Sequence, residues 1–191
     1  QNYRFSLIIK FQHGVEKGRI MDDFPGPILW VTHDRGEAWR NCPNVCVLEG
    51  GKASSIQPMR QLFHAPGTES AARLSGCKNF TPAQAEGALV RLPDWGVSLD
   101  PGHPVPPETR TVGIRSHTVR PAAEGERNTI PCAVERVIDD VFETIVLLRP
   151  EGAKPDTPPL RMELSKEAWQ ALQAPDRLTV TVSPEDLLLL Q

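Results

Sequence analysis

Long apolar runs are missing from this sequence of 191 residues, of which 39% are hydrophobic and 24% charged. No stretch approaches the roughly 20 consecutive apolar residues that a membrane-spanning helix requires. The apolar segment at residues 5–11 is too short and too interrupted for a secretory signal, so we expect none. The composition is that of a globular protein able to bury a sizeable core. Any association with a membrane would come through a partner.

Cysteine is also scarce, and its spacing excludes the common zinc sites. The four thiols lack the paired Cys-x-x-Cys spacing of such sites, and no His/Cys pair follows Cys42-x-x-x-Cys46 at a useful distance. We interpret Cys42, Cys46, Cys77 and Cys132 as reduced thiols that mostly fill the core. We therefore predict no metal site.

The sequence further lacks the complete set of groups that phosphoryl transfer requires. No G-x-x-x-x-G-K-[ST] phosphate-binding loop is present, because Gly51-Lys52 is preceded by Cys46 where that motif needs its first glycine. Without the backbone cradle, its lysine and the magnesium ligands, the reaction loses its main electrostatic stabilisation. We expect that this chain alone does not hydrolyse a nucleoside triphosphate.

Positive charge is sparse in the second part of the chain. Residues 1–80 carry a net charge of +3, whereas residues 81–191 carry −6. An acidic second part argues against a nucleic-acid-binding surface there. The change in composition predicts a domain boundary near residue 80.

A candidate functional residue, His33, stands at a junction between a predicted strand and a predicted helix. Residues 28–31 are a short, β-rich apolar run, which predicts a buried parallel strand between covering layers. Asp34 with Glu37 three residues later is a capping-box pattern and predicts a helix to about Cys42. His33 would lie where open α/β sheets bind ligands and helix N-termini attract phosphate. The alternative is that His33 only ends a core strand.

Other segments of residues 1–80 predict a strand, a hairpin and two short helices. Residues 5–11 are a strand candidate, and residues 44–57 predict a hairpin around Gly50-Gly51. Short helices are predicted over residues 58–64, with proline at the start, and over residues 69–74, with Gly76 as the end signal.

Val31-Thr-His-Asp34, followed by Glu37-Ala38, resembles the switch-histidine loop of the ATP-binding-cassette (ABC) transporter ATPases. The order of strand, His-Asp, helix, Gly-Gly hairpin and short helix resembles the C-terminal part of the nucleotide-binding domain in ABC importers. The resemblance implies that His33 is a catalytic residue that reaches the γ-phosphate of ATP. It implies ATP and magnesium as cofactors of the full-length protein, and a second copy of the subunit and a membrane permease as partners. No signature sequence and no Walker-B pair precede His33, so the chain resembles part of an ATPase.

Residues 80–191 are rich in short strand candidates separated by turns and prolines. Apolar, β-branched runs occur at residues 88–92, 96–99, 111–115, 132–137, 144–148, 160–164 and 178–182. One helix is predicted over residues 165–172, and loops over residues 101–107 and 152–159. Many short strands with turn signals between them predict a small barrel.

Residues 112–121 resemble the strand motif of the transport-associated OB-type (TOBE) domain of ABC importers. Residues 126–134 resemble the opening of the molbindin-type repeat, and residues 180–190 its last strand. This resemblance implies Arg127 and Asn128 as contacts to molybdate, tungstate or sulfate, with a turn-capping role as the alternative. Gly125 and the stretch Val182-Ser183-Pro184 depart from the molbindin pattern, which loses a serine and a lysine as oxyanion donors, and Glu126 is expected to repel a dianion. Arg115 and His117 are more typical of surface residues than of ligands.

Two parts are therefore predicted. Residues 1–78, with 1–14 unassigned, would be an α/β remnant of a P-loop-type nucleotide-binding domain, and residues 80–191 an all-β OB-like (TOBE) barrel. The implied function of the full protein is to couple ATP hydrolysis to uptake of molybdate or a related oxyanion, at the inner face of the cell membrane. The alternatives are a non-enzymatic oxyanion-binding protein and a regulatory module without nucleotide contact.

Overall fold

The computed structural model describes residues 6–10 and 28–191, and these divide into two compact units, the first ending at Ser75 and the second comprising Gly76–Gln191. The polar segment at residues 15–24, which resembles the end of the helix that precedes the switch-histidine loop, lies outside the described residues. In the described part of the chain, no helix has both the length and the hydropathy needed to span a membrane.

The first unit is built on an antiparallel sheet with the strand order β2-β1-β3-β4. Its strands are β1 (Ser6–Lys10), β2 (Ile28–Thr32), β3 (Asn44–Glu49) and β4 (Lys52–Ala53), and β5 (Gln57–Pro58) also pairs with β3. β1 is antiparallel to β2 and to β3. The strand predicted within residues 5–11 is thus confirmed as β1, a central strand of this sheet.

The prediction of a buried parallel strand at residues 28–31 is wrong. β2 pairs antiparallel with β1 and ends the strand order. Leu29 and Val31 are 58% and 51% exposed, while Trp30 between them packs against the core. A short apolar run fits an edge strand as well as a central one, and its direction is set by a partner distant in sequence. The parallel sheet expected of a P-loop-type domain is not seen among the described strands.

The local turn and helix signals of the first unit are confirmed. Leu48 and Glu49 of β3 face Ala53 and Lys52 of β4 across Gly50-Gly51, and both glycines have positive φ, as a tight hairpin turn requires. The helices are α1 (Arg35–Asn41), α2 (Met59–His64) and α3 (Glu69–Leu74). Gly76 follows the end of α3 with φ of 99°.

One small core joins the helices to the sheet of the first unit. Its buried members come from α1 and its C-cap, β3, α2 and α3, and they are Ala38, Cys42, Val45, Val47, Met59, Leu62 and Ala71. Trp30, Phe63 and Leu74 pack against this core from its margin. The core holds the start of α1 close to the end of β2, which fixes the loop that contains His33.

The second unit is mostly β and consists of three antiparallel sheets. A five-stranded sheet has the order β11-β15-β12-β13-β14, and its strands are Arg120–Pro121, Arg177–Thr181, Thr129–Asp139, Glu143–Pro150 and Leu160–Ser165. A second sheet contains β6 (Asn79–Pro82), β10 (Thr111–Ile114) and β16 (Leu188–Leu190). The third is a meander of β7 (Gln84–Glu86), β8 (Leu89–Leu92) and β9 (Val97–Leu99).

Hydrogen bonds from side chains and backbone join the first two of these sheets, and together the two sheets form a nearly closed barrel. The buried Asn79 of β6 donates to the carbonyl of Arg161 in β14 (2.8 Å) and accepts from its N–H (2.7 Å). The N–H of Glu163 donates to the carbonyl of Ser116, just beyond β10. These bonds occupy strand-edge groups that would otherwise stay unpaired. The barrel-like arrangement predicted from the short strands is therefore present.

A single large core fills the second unit, and its largest fully buried side chains include Trp95, Leu92 and Met162. Cys132 lies in this core, where burial raises the pKa of its thiol to about 12. The helix predicted over residues 165–172 is α4 (Lys166–Ala171), capped by Ser165. The tail at residues 180–190 is not one strand. β15 ends at Thr181, and a 3-10 turn (Pro184–Asp186) precedes β16.

Candidate functional site

His33 lies in the two-residue connection between β2 and α1, and its side chain is exposed. Asp34 is the N-cap of α1, and its carboxylate accepts a hydrogen bond of 2.8 Å from the N–H of Glu37. α1 ends at Asn41 with Cys42 as its C-cap, as the capping pattern predicts. The sequence thus places His33 correctly between a strand end and a helix start, although the strand belongs to an antiparallel sheet.

Thr32, which sequence reasoning missed, completes the cap. In the usual capping box the glutamate at the third helical position bonds the backbone N–H of the cap residue. Here the hydroxyl of Thr32 stands between them: it donates to Oε2 of Glu37 (2.5 Å) and accepts from the N–H of Asp34 (3.0 Å). A threonine two residues before a capping aspartate is the signal that would have found it. Residues on both sides of His33 are therefore fixed, while its imidazole stays accessible.

Charge around the cap is arranged to keep Asp34 ionised. The hydrogen bond from the backbone of Glu37 is the main cause that holds the pKa of Asp34 below its usual value, and Arg40 and His33 act in the same direction. A carboxylate at a helix N-terminus also interacts favourably with the helix dipole. The loop is thus stabilised in its present form wherever Asp34 is charged.

Two hollows border this loop. A small cavity of about 20 Å³, room for one water molecule, has Thr32, His33 and Phe63 in its lining. A wider, open groove of about 460 Å³ runs along the exposed side of α1 and α2. The residues that line this groove are Arg35, Gly36, Trp39, Arg40, Phe63 and His64.

The predicted oxyanion contacts, Arg127 and Asn128, are adjacent at the start of β12. The side chain of Arg127 is 84% exposed and lies 3.8 Å from the carboxylate of Asp100. The amide of Asn128 is engaged: its oxygen accepts from the N–H of Asp100 (2.7 Å), and its nitrogen donates to the carbonyls of Asp100 (2.8 Å) and Val182 (3.3 Å). Asn128 has φ of 53°, a conformation that asparagine tolerates better than most residues. An oxyanion could reach Arg127 directly, but Asn128 would have to exchange its present partners.

Glu126, expected above to repel an oxyanion, is paired within its own loop. Both its carboxylate oxygens accept from Arg120, at 2.6 and 2.8 Å, and one also accepts from the N–H of Ala123 at 2.7 Å. These bonds, with the one from Arg120 as the largest cause, lower the pKa of Glu126 to about 2. The pairing offsets much of the charge that an approaching anion would meet.

We expect the variant Glu126→Gln to change how stability depends on pH. Because the pKa of Glu126 is about 2 in the folded chain and 4.5 ordinarily, its stabilising contribution is present above pH 4.5 and is lost as pH falls through 2. In thermal unfolding between pH 2 and 7, the difference in unfolding temperature between wild type and variant should narrow below pH 4.5. Glu124→Gln, at an exposed acid of the same loop, is the matched control. A gap that is constant with pH would contradict this prediction.

Arg115 and His117 lie in the turn after β10, and His117 is exposed. The pKa of Asp186 is raised overall, chiefly by burial and also by the neighbouring Glu185, while Arg115 and His117 act in the opposite direction. In the described part of the chain, no group of three His, Cys, Asp or Glu side chains is arranged to hold a metal ion.

No family model matches the chain. The Fe(3+) ions import ATP-binding protein FbpC of Streptomyces coelicolor is 34% identical over 128 residues, which are 66% of this chain and 35% of that protein. A match of this length exceeds either unit and therefore involves both. The molybdate/tungstate import ATP-binding protein WtpC of Thermococcus kodakarensis is 28% identical over 120 residues, 60% of this chain and 35% of its own length. The chain thus spans about a third of the length of these curated relatives, which are ATP-binding subunits of ABC importers.

Among solved structures, a molybdate-bound form of the cytoplasmic molybdate-binding protein ModG aligns with a TM-score of 0.47 and 14% identity. The alignment covers 59% of this chain and 94% of ModG.

Proposed function

We propose that this chain is part of the ATP-binding subunit of an ABC importer, and that His33 contacts the γ-phosphate of ATP in the longer protein. The observation that carries this proposal is the 34% identity to an import ATP-binding protein over 128 residues. The exposed position of His33 between β2 and α1 adds to it. A neutral or protonated imidazole can donate a hydrogen bond to a phosphate oxygen.

The cap around His33 fits a phosphate-contacting role. Thr32, Asp34 and Glu37 bond one another and hold the backbone on both sides of the histidine. Because the backbone is held in this way, His33 needs little reorganisation of its loop when it meets developing charge. ATP and magnesium, when bound, would supply the phosphoryl group and its charge neutralisation. This chain would add one contact from His33, because the phosphate-binding loop is not in its sequence.

The proposed cargo is molybdate or a related oxyanion, which is the cargo in the name of the WtpC relative. The partners would be a second copy of the subunit and a membrane permease. The protein would act at the inner face of the cell membrane.

The function is tested with the longer protein that contains this chain. We expect that protein to hydrolyse ATP in the presence of magnesium, and the 191-residue chain alone to show no hydrolysis. If the longer protein neither binds nor hydrolyses ATP, the proposed function is wrong.

Calorimetric titration of the chain with molybdate, tungstate and sulfate tests whether Arg127 and Asn128 bind an oxyanion. Because Asn128 would have to give up bonds to Asp100 and Val182, we expect no binding heat at micromolar ligand. A separate titration with ATP and magnesium is expected to show none either. Micromolar binding of molybdate, lost in Arg127→Ala, would contradict this expectation and favour an oxyanion-binding role for the second unit.

A further inference from the structure

An open cavity of about 390 Å³ lies on the five-stranded sheet of the second unit. Side chains alternate along a strand, and Cys132 of β12 points into the core. Ala133 therefore points to the opposite side of the sheet, where it forms the floor of the cavity. All the lining residues belong to the second unit, and they are Ala133, Arg149, Pro150, Glu151, Ala153 and Arg177.

The register of the strands places two arginines on either side of Ala133. Ala133 in β12 faces Arg149 in β13 and Arg177 in β15. Neighbouring strands lie about 4.8 Å apart, so the Cα atoms of the two arginines are about 10 Å apart. Because alanine has a single methyl group, the space between the two long cationic side chains is not filled. Two guanidinium groups thus border one cavity.

Arg149 is held in position at the edge of the cavity. Its Nε donates to the carboxylate of Glu135, which is not a lining residue. Its Nη1 donates to the carbonyls of Thr157 (3.2 Å) and Pro155 (3.5 Å). None of these bonds uses Nη2, so this nitrogen keeps its donors for a ligand.

Arg177 already binds a carboxylate, in an exposed ion pair. Its Nη1 donates to Oε1 of Glu151 at 3.0 Å, and the two side chains are 79% and 50% exposed. Ion pairs that are this accessible to water contribute little to stability. A ligand carboxylate could therefore replace Glu151 on Arg177 at small cost. Since Glu151 itself lines the cavity, its position shows that a carboxylate can reach Arg177 from there.

We propose that this cavity binds a small dicarboxylate, with one carboxylate on Arg149 and the other on Arg177. A guanidinium is planar and presents parallel donors, which match the two oxygens of a carboxylate. The apolar atoms of Ala133, Pro150 and Ala153 would contact the carbon atoms between the two carboxylates. Glu151 would turn out towards solvent.

This inference goes beyond the proposed function and does not rest on it. The cavity uses other residues than Arg127 and Asn128, and none from the first unit. Absence of dicarboxylate binding would leave ATP hydrolysis by the longer protein to be judged by its own assay, and the converse also holds.

Titration of the ¹⁵N-labelled chain with succinate, followed by NMR at constant ionic strength, tests the proposal. We expect saturable shifts of the backbone amides of Ala133, Glu151 and Ala153, with a Kd of about 1 mM or tighter. Acetate, which has one carboxylate, and sulfate, whose oxygens share one centre, are expected to bind at least about tenfold more weakly because neither engages both guanidinium groups bidentately.

Four variants identify the site. Arg177→Gln removes one charge and Ala133→Leu fills the floor, and each should weaken succinate binding at least about tenfold. Arg91→Gln, at an exposed arginine on β8, is the matched control and should bind as wild type does. Glu151→Gln removes the competing carboxylate and should tighten binding about threefold.

Circular dichroism checks that every variant is folded. The proposal is overturned if the wild-type chain shows no saturable shifts with about 10 mM succinate, or if acetate or sulfate binds as tightly as succinate. Unchanged affinity in folded Arg177→Gln would also overturn it. Should that variant fail to fold, the affinity of Glu151→Gln decides instead, and a weakened or unchanged value there counts against the site.

Discussion

Replacing Gly96 with alanine is expected to destabilise the second unit by at least about 3 kcal/mol. Gly96 has φ of 69°, and a Cβ built there would lie 2.5 Å from the carbonyl oxygen of Gly152. The left-handed conformation alone costs an alanine about 1 kcal/mol or more. The atom it meets is backbone, so the chain at Gly152 would have to move to relieve the contact.

The surrounding bonds resist such a movement. The carbonyl of Asp94 accepts from the N–H of Lys154 (3.0 Å) and from the hydroxyl of Thr157 (3.0 Å). The ammonium of Lys154 also bonds the carboxylate of Asp94 at 2.6 Å. Trp95, next to the glycine, is 2% exposed and belongs to the core. A shift at residue 96 would therefore disturb both the loop and the core.

Gly87→Ala is the matched control for this prediction. Gly87 has a similar φ of 64°, but a Cβ there would meet no atom within 4 Å. We expect it to cost about 1 kcal/mol, the conformational part alone. Denaturant unfolding of both variants measures the difference. Equal destabilisation by the two substitutions would show that the approach of Gly96 to Gly152 is not constraining.

Local signals in the sequence predicted much of the second unit. Strand candidates at residues 88–92, 144–148 and 160–164 match β8, β13 and β14, because alternation and β-branched residues are typical of a half-buried pleated surface. β6 and β7 were missed, since both contain or adjoin polar residues and Pro82. Their pairing is set by partners elsewhere in the chain, such as β10 and β8, which a local pattern does not show.

In the first unit, the local signals predicted caps and turns but not the direction of the sheet. Helix caps at Asp34 and Thr68 and the Gly50-Gly51 turn follow short-range rules, and the structure has them. The sheet direction does not follow such rules. β1 lies between β2 and β3, so the antiparallel arrangement depends on a strand 18 or more residues away from β2. The position of His33 was predictable because it depends on local signals, whereas the direction of its strand depends on a partner distant in sequence.

In the longer protein, His33→Ala is expected to lower the rate of ATP hydrolysis about 100-fold, the usual effect of removing one donor from a charge-stabilising site. This expectation rests on the proposed contact between His33 and the γ-phosphate. Because the side chain is exposed and the cap bonds involve Thr32, Asp34 and Glu37 instead, the fold should be unaffected. Steady-state hydrolysis and ATP binding are measured side by side, and kcat is expected to fall much more than affinity.

Two further variants separate a chemical role of His33 from a structural one. His33→Gln keeps a hydrogen-bond donor and should retain part of the rate, whereas a residue that only ends a strand would tolerate alanine and glutamine equally. His103→Ala is the matched control, since His103 is an exposed histidine in a loop of the second unit, where its ring contacts the carbonyl of Pro104. It should hydrolyse ATP at the wild-type rate. Unchanged hydrolysis in His33→Ala would show that His33 has no chemical role and only connects β2 to the cap of α1.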